Sequence, residues 1–185
     1  MHIVPYLVGY IFLSFLWTMT DPTSRKLFYS PVEFLKKDQS KTTTIMALVM
    51  LPQLVSALFF PWATTQYDPL ITRAGSVMFW LGLVLSVWAK LVMKNNWGKP
   101  ARHDITRQKT LVTWGPFSYT RNPIYLGLIL MAIGSSLAVR SMFAPLVILF
   151  IMHIRRMVAA EEPLLLRYFG NRYKEYITRV PRFLV

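Results

Sequence analysis

The sequence predicts an all-α polytopic membrane protein with about five transmembrane helices, on three observations. Of its 185 residues, 54% are hydrophobic and only 16% are charged, with a mean hydropathy of +0.39, more apolar than a water-soluble domain usually is. Several apolar runs approach the roughly 20 residues that a helix needs to cross a bilayer. The 21 Lys+Arg outnumber the 8 Asp+Glu, and most of them lie between the apolar runs.

The first run, 3–19, has no Lys or Arg before it and no small-x-small cleavage pattern after it, so it reads as a retained span. The second, 45–63, is interrupted by Pro52 and Pro61. The third, 70–93, carries Arg73 and Lys90 near its ends, where long side chains can reach water. The fourth, 124–139, and the fifth, 142–157, are separated only by Arg140 and Ser141, which predicts a tight helical hairpin. At about 1.5 Å per residue the fourth run reaches roughly 24 Å, short of the roughly 30 Å hydrocarbon core. Flanking aromatics must extend it, or the hairpin stops short of a full crossing. Past the fifth run, Leu165, Phe169, Tyr173, Tyr176, Ile177 and Val180 recur at helical spacing. Arg167, Arg172, Lys174, Arg179 and Arg182 lie between them, the pattern of a basic amphipathic tail helix resting on the membrane. The chain is one integral-membrane domain, 1–185, with three spans in 1–93 and a loop, hairpin and tail in 94–185.

Charge orients this topology. Nineteen of the 21 Lys+Arg fall in the segments 20–44, 90–121 and 155–185, and only Arg73 and Arg140 fall on the other side. The positive-inside rule then puts the N-terminus outside and the C-terminus in the cytoplasm. In a soluble chain a net charge of +13 would point to nucleic acid; flanking apolar spans, it points to anionic lipid headgroups on the cytoplasmic face. The chain has no Cys, which excludes disulfides, Cys-ligated zinc and thiol nucleophiles. Its three His, at 2, 103 and 153, have no ligand spacing, so no metal site is expected. Serine-hydrolase and phosphate-loop signatures are absent.

The stretch "TRNPIYLG", 120–127, and the tail beginning "RRMVAAEEP" at Arg155 therefore lie at the two cytoplasmic feet of one hairpin. Asn122–Pro123 is a helix start by its own chemistry, an N-cap followed by Pro at the first helical position. The N–H groups that follow suit an anion, and Tyr119 and Tyr125 offer ring faces suited to a cation. On local grounds alone an ordinary capped helix with interfacial tyrosines explains the stretch as well. Glu161 and Glu162 are two of only eight acidic residues, adjacent and just before Pro163. They suit recognition of a cation or of hydroxyls; equally, they suit the start of a new helix, paired with Arg155 or Arg156.

Taken together, "NNW" (95–97), "LVTWGPFSYTRNPIYLG" (111–127) and "AAEEPLLLRYFGNRYKEYITRVPRFL" (159–184) resemble the isoprenylcysteine carboxyl methyltransferase and phospholipid methyltransferase superfamily. These are small membrane enzymes that use S-adenosylmethionine. The resemblance runs from Asn95 to the C-terminus. It implies one cofactor-binding wall of Gly115, Pro116, Tyr119, Arg121, Asn122, Pro123, Tyr125 and Leu126, and a second of Glu161 and Glu162. The acceptor it implies is lipophilic, an isoprenylcysteine-type carboxylate in the first instance, with Arg156 and Glu161 positioning it. Phosphatidylethanolamine-type N-methylation is the alternative. Two departures stand out: Asn122 occupies a position that is commonly His, and cannot titrate, and Arg156 lies five residues ahead of Glu161. Membrane sterol reductases, which bind a nicotinamide cofactor, are a more distant comparison, since 122–128 lacks their H-P-N-Y run and acidic residue. A non-enzymatic protein binding anionic lipid would explain the charge but not the two polar feet.

Overall fold

A computed structural model describes residues 3–20, 65–94 and 110–183, together with scattered positions between 49 and 59. The loop after the first helix, most of the second expected span and the "NNW" triplet lie outside the described residues. Among the described residues there is no strand. Five helices have both ends defined: α1 (Val4–Thr20), α2 (Asp68–Met93), α3 (Pro123–Ala138), α4 (Val147–Phe169) and α5 (Asn171–Arg179). Short 3-10 turns occupy Gly115–Ser118 and Ala144–Leu146. Of the described helices, α2 with 26 residues is the one long and apolar enough to cross a membrane; the apolar helices α1 and α3 have 17 and 16 residues. Length and composition thus support one crossing among the described residues, not the five expected.

The seam between α2 and α3 organises the fold. The helices run antiparallel, and each carries two glycines seven residues apart: Gly75 and Gly82 on α2, Gly127 and Gly134 on α3. Gly75 faces Gly134, and Gly82 faces Gly127. A Cβ on Gly82 would stand 2.5 Å from the Gly127 carbonyl oxygen, and one on Gly75 would stand 2.6 Å from that of Gly134. No side chain fits between such backbones. Small residues permit this approach in membrane helices, where dispersion contacts replace hydrophobic burial as the driving force. Ser86 continues the seam, its hydroxyl donating to the Ile124 carbonyl at 3.4 Å. At the far end Asp68 pairs with Arg140, so a negative charge lies at the start of α2 and a positive one at the end of α3.

Helix α1 docks on α2 through Phe79, which is fully buried and makes edge contacts with Tyr6 and Tyr10 at 5.1 and 5.3 Å. The Tyr6 hydroxyl adds a 2.7 Å hydrogen bond to Ser76. Lys90, expected to reach water, is instead 2% exposed, its ammonium 5.5 Å from the centre of the Trp17 ring. Trp17 from α1 covers it, and the ring's negative face takes the place of solvent. Outward from this core α2 exposes Val77, Trp80, Leu81, Val84, Trp88 and Leu91, an apolar stripe of the kind that faces lipid.

After α3 the chain turns through Arg140, whose positive φ of 52° reverses its direction, and α4 returns. Two expectations need correction here. The last apolar run does not end at 157: α4 continues through Glu161, Glu162 and Pro163 to Phe169. Pro163 forgoes the bond its N–H would make to the carbonyl of Ala159. The helix persists because Ile154 and Val158 are buried against the hairpin, while Leu165, Leu166 and Phe169 pack on α5. The glutamates therefore sit within a helix, not at the start of one. The tail is likewise not one helix from 165 to 180. It breaks at Gly170, whose φ of +57° is left-handed and suits Gly, and α5 begins after it.

Candidate active site

The two expected feet meet. Helix α3 begins as predicted, with Asn122 at the N-cap position, Pro123 next, and the Leu126 N–H donating to the Asn122 carbonyl at 2.9 Å. The Asn122 side chain, however, does not cap the helix. Its Nδ2 donates to the Arg182 carbonyl at 3.0 Å. The reason lies 60 residues downstream. After α5 the chain extends across the start of α3, where the Pro181 carbonyl accepts from the Arg121 N–H at 2.9 Å. The Arg182 carbonyl also accepts from the Thr120 hydroxyl at 3.0 Å.

Beneath this strap lies a cluster of charge. Arg121 Nη2 is 3.1 Å from Glu162 Oε1. The Arg182 guanidinium grips the same carboxylate, with Nε 3.0 Å from Oε1 and Nη2 against Oε2. Glu162 thus pairs with Arg121 and Arg182, where Arg155 or Arg156 was expected. Glu161, one position earlier, faces α3, and its Oε2 accepts from the Tyr125 hydroxyl at 3.3 Å. Burial lifts the Glu161 carboxyl to about 7, with the neighbouring charge of Glu162 adding to the rise and the Tyr125 hydrogen bond opposing it. Burial, and then the charge of Glu162, likewise push the Tyr173 hydroxyl up to about 12.

Arg121 is the unusual member. Its side chain is only 10% exposed, and its Nε and Nη1 donors have no partner among the described residues. A buried guanidinium ordinarily has its donors satisfied, because leaving them unpaired costs the full penalty of removing them from water. Unpaired N–H donors on a buried guanidinium suit an anion such as a carboxylate. Glu161, with acceptor capacity beyond the Tyr125 bond, suits a hydrogen-bond donor or a cation.

The other predicted residues fall in three places. Gly115 and Pro116 form the 3-10 turn beside the cluster, pinned by the Tyr176 hydroxyl donating to the Phe117 carbonyl at 2.6 Å. Pro123 is buried and Leu126 half-buried on the first turn of α3. Tyr119 is 68% exposed and turned away, and Arg155 and Arg156 are exposed. Five residues at about 100° each set Arg156 about 140° round the helix from Glu161, so it does not join the cluster. The Tyr125 ring, 7% exposed, is packed within the core and is no open aromatic face. Sequence reasoning missed Thr120 and Arg182. The one signal for Arg182 was the Val-Pro-Arg run after α5, since Pro forces the preceding residue into an extended conformation.

The family profile for phospholipid methyltransferases matches residues 70–172, from α2 through both polar feet. The chain is 24% identical over 163 residues to a protein-S-isoprenylcysteine O-methyltransferase of Saccharomyces cerevisiae, covering 82% of this chain and 68% of that protein. It is 25% identical over 137 residues to probable protein-S-isoprenylcysteine O-methyltransferases of Oryza sativa subspecies indica and japonica, covering 73% of this chain and 71% of each. The chain belongs to the phospholipid methyltransferase family and is a membrane-associated methyltransferase.

Proposed function

We propose that this protein methylates the carboxylate of a prenylated cysteine-type acceptor, with S-adenosylmethionine as the donor. The observation that carries the reading is Arg121, a buried guanidinium with two unpaired donors beside a carboxylate pair. A cofactor with a carboxylate and an ammonium on one carbon fits both halves of the cluster. Arg121 takes the carboxylate through one of its unpaired donors, while Glu161 accepts from the ammonium or from ribose hydroxyls. Gly115, Pro116, Asn122, Pro123, Tyr125 and Leu126 form the wall, with Tyr119 at its rim and Glu162 holding Arg121 in place.

S-adenosylmethionine supplies an electrophilic methyl on a sulfonium. The protein's work is then positioning and exclusion of water. A carboxylate acceptor is already nucleophilic and needs only a cationic anchor; Arg156, expected in that role, is exposed and turned about 140° round α4 from Glu161, so the role is not assigned to it. The basic segments orient the chain with the N-terminus outside and the C-terminus cytoplasmic, and with five crossings in all. The cofactor enters from the cytosol and the acceptor from the bilayer.

A second reading has one observation in its favour. An amine acceptor must lose a proton first, and Glu161, lifted to about 7, is a carboxylate able to take one near neutral pH. Phosphatidylethanolamine-type N-methylation would use it so. Purified protein, supplied with labelled S-adenosylmethionine and either an S-prenylcysteine or phosphatidylethanolamine, decides between them. Label in the prenylcysteine as a base-labile ester supports the first reading, and label in the phospholipid supports the second. A parallel titration with S-adenosylmethionine and NADPH should give saturable binding for the former alone.

A further inference from the structure

The α3–α4 hairpin carries two adjacent positive charges at a depth where α3 carries none. Between Arg121 and Arg155 the only Lys, Arg, Asp or Glu is Arg140, in the turn. The depth of Arg155 and Arg156 follows from the contact between the two helices. Glu161 of α4 is level with Tyr125 of α3, whose hydroxyl it accepts. Arg155 and Arg156 come six and five residues before Glu161, on the helix that returns from the turn. At about 1.5 Å per residue they lie roughly 8 Å from the charged cluster toward the turn, near the midpoint of α3.

Both side chains point away from the hairpin. Ile154 and Val158 are buried against it, whereas Arg155 and Arg156 are exposed. Leu149 and Met152 are exposed on the turn side of the pair, and Ala159 and Ala160 on its cluster side. At about 100° per residue these six share one flank of α4, away from Glu161. Neither arginine has an ion pair among the described residues. The carboxylates nearest along the helix are taken up elsewhere, Glu161 by Tyr125 and Glu162 by Arg121 and Arg182. Charges this deep in a membrane hairpin cost free energy unless a counter-charge reaches them. On this flank the counter-charge has to come from outside the chain.

We propose that Arg155 and Arg156 bind the phosphate of an anionic phospholipid whose acyl chains lie along Leu149 and Met152. Guanidinium forks match phosphate oxygens in geometry and charge, and their long stems reach toward the headgroup level. The exposed apolar side chains on the turn side suit acyl chains. The small side chains of Ala159 and Ala160 leave the guanidiniums open from the cytoplasmic side, where the headgroup approaches. A zwitterionic headgroup would bring an ammonium beside two like charges, and the exposed flank carries no carboxylate to receive it. Net negative charge on the lipid is therefore selected. Helix α5 is basic in a different way: Tyr173 and Tyr176 are buried on the protein, while Arg172 and Lys174 are exposed with Glu175 between them and α4. The site requires the hairpin to lie in the bilayer and is independent of which acceptor is methylated.

The test titrates the full chain, in micelles of a neutral detergent, with phosphatidylglycerol or phosphatidylcholine of the same acyl chains, and counts retained lipid by native mass spectrometry. Wild type should retain phosphatidylglycerol with about tenfold or more higher affinity, the size of a charge-assisted contact. The double variant Arg155→Gln, Arg156→Gln should reduce that preference to less than about threefold. Its S-adenosylmethionine affinity should be unchanged, because both side chains lie outside the charged cluster. Arg155→Lys with Arg156→Lys keeps the charge without the fork and should fall between. Arg172→Gln with Lys174→Gln removes the same charge from α5 and should keep the full preference. Equal retention of the two lipids by wild type would overturn the proposal without any variant. So would a preference that survives in the α4 Gln pair, or one that the α5 pair abolishes equally, which would make the attraction a matter of net charge. A dimer in micelles that the α4 Gln pair dissociates, with no lipid retained, would assign the flank to a second copy of the chain instead. An acceptor KM raised tenfold by that pair in lipid-free micelles would assign the arginines to the acceptor.

Discussion

Between α2 and α3 two backbones meet through glycine, and no side chain comes between them. At the foot of α3 charged and polar side chains crowd together, and two guanidinium donors stay unpaired among the described residues. The two regions share a helix and differ in what they tolerate. The seam is complete in the protein as it stands, so any addition to it causes a clash. The cluster is incomplete in the same sense, so its members gain from a ligand what the fold does not supply. The seam holds the start of α3 in place, and the cluster is built on that start. Substitutions in the seam should therefore remove protein, and those in the cluster should remove binding while the protein persists.

The largest effect belongs to the seam. A Cβ at Gly127 would stand 2.5 Å from the Gly82 carbonyl oxygen and would strike the Ser86 hydroxyl. Neither is a flexible chain end. Gly127→Val should cost more than the roughly 1–3 kcal/mol typical of overpacking and should collapse the yield of folded protein in detergent. Gly170→Ala is the control. Nothing lies within 4 Å of a Cβ there, so its cost comes from the backbone alone, φ +57° with ψ −128°, and should stay near 1–3 kcal/mol. Equal melting temperatures for Gly127→Val and wild type would mean that the seam opens without cost, and the contrast between the two regions would fail.

The next effect separates the two glutamates. Glu161 has acceptor capacity for the cofactor, whereas Glu162 is already taken up by Arg121 and Arg182. Glu161→Gln should lose on the order of 1.5–3 kcal/mol of cofactor affinity, tenfold or more, by removing a charge-assisted contact. Glu162→Gln acts through Arg121 and should lose less. Calorimetric titration of both variants, each checked for normal folding, reads the difference. Two near-wild-type affinities would return the pair to a purely structural role.

The Glu161 carboxyl also sharpens the comparison through pH. Its folded value of about 7 lies above the ordinary 4.5, so the folded protein retains a proton that the unfolded chain has released. The stability this contributes is fully present below 4.5 and is lost as pH rises through 7. Cofactor affinity should move the opposite way, rising from pH 6 to 8 as the carboxylate forms. Melting curves and titrations across that range should diverge in wild type, and Glu161→Gln should flatten both. A wild-type affinity that is flat from pH 6 to 8 would remove Glu161 from contact with the cofactor.

How much of this could be read in advance follows from the range of the interactions. Helices α1, α2 and α3 start and end within a few residues of the apolar runs, because their limits are set by local composition and by Asp68-Pro69 and Asn122-Pro123. That the two feet share a face followed from the charge distribution. The seam was visible only as paired seven-residue glycine spacings, which identify close approach but not the partner. Helix α4 crossing Pro163 was not legible, since a local rule ends a helix there and distant packing overrides it. The strap from Arg182 was hidden for the same reason: its hydrogen bonds span 60 residues and more.

Asn122 offers the smallest effect and the finest distinction between the regions. As an N-cap its loss would cost roughly 1 kcal/mol through fraying of α3. In the structure the side chain makes no capping bond and instead holds the Arg182 carbonyl at 3.0 Å. The same carbonyl keeps its bond from the Thr120 hydroxyl, so the strap has a second tether. Asn122→Ala should then cost about 0.5–1.5 kcal/mol, the worth of one ordinary hydrogen bond. The loss should appear in the strap, as faster amide exchange at Arg182 and Phe183 and a few-fold weaker cofactor binding. Exchange in the first turn of α3 should stay as in wild type, because the seam and Pro123 hold that turn independently. Asn122→His keeps a side-chain N–H and should keep activity. Faster exchange confined to the first turn of α3, with the strap unaffected, would restore the capping role and uncouple the strap from the cluster.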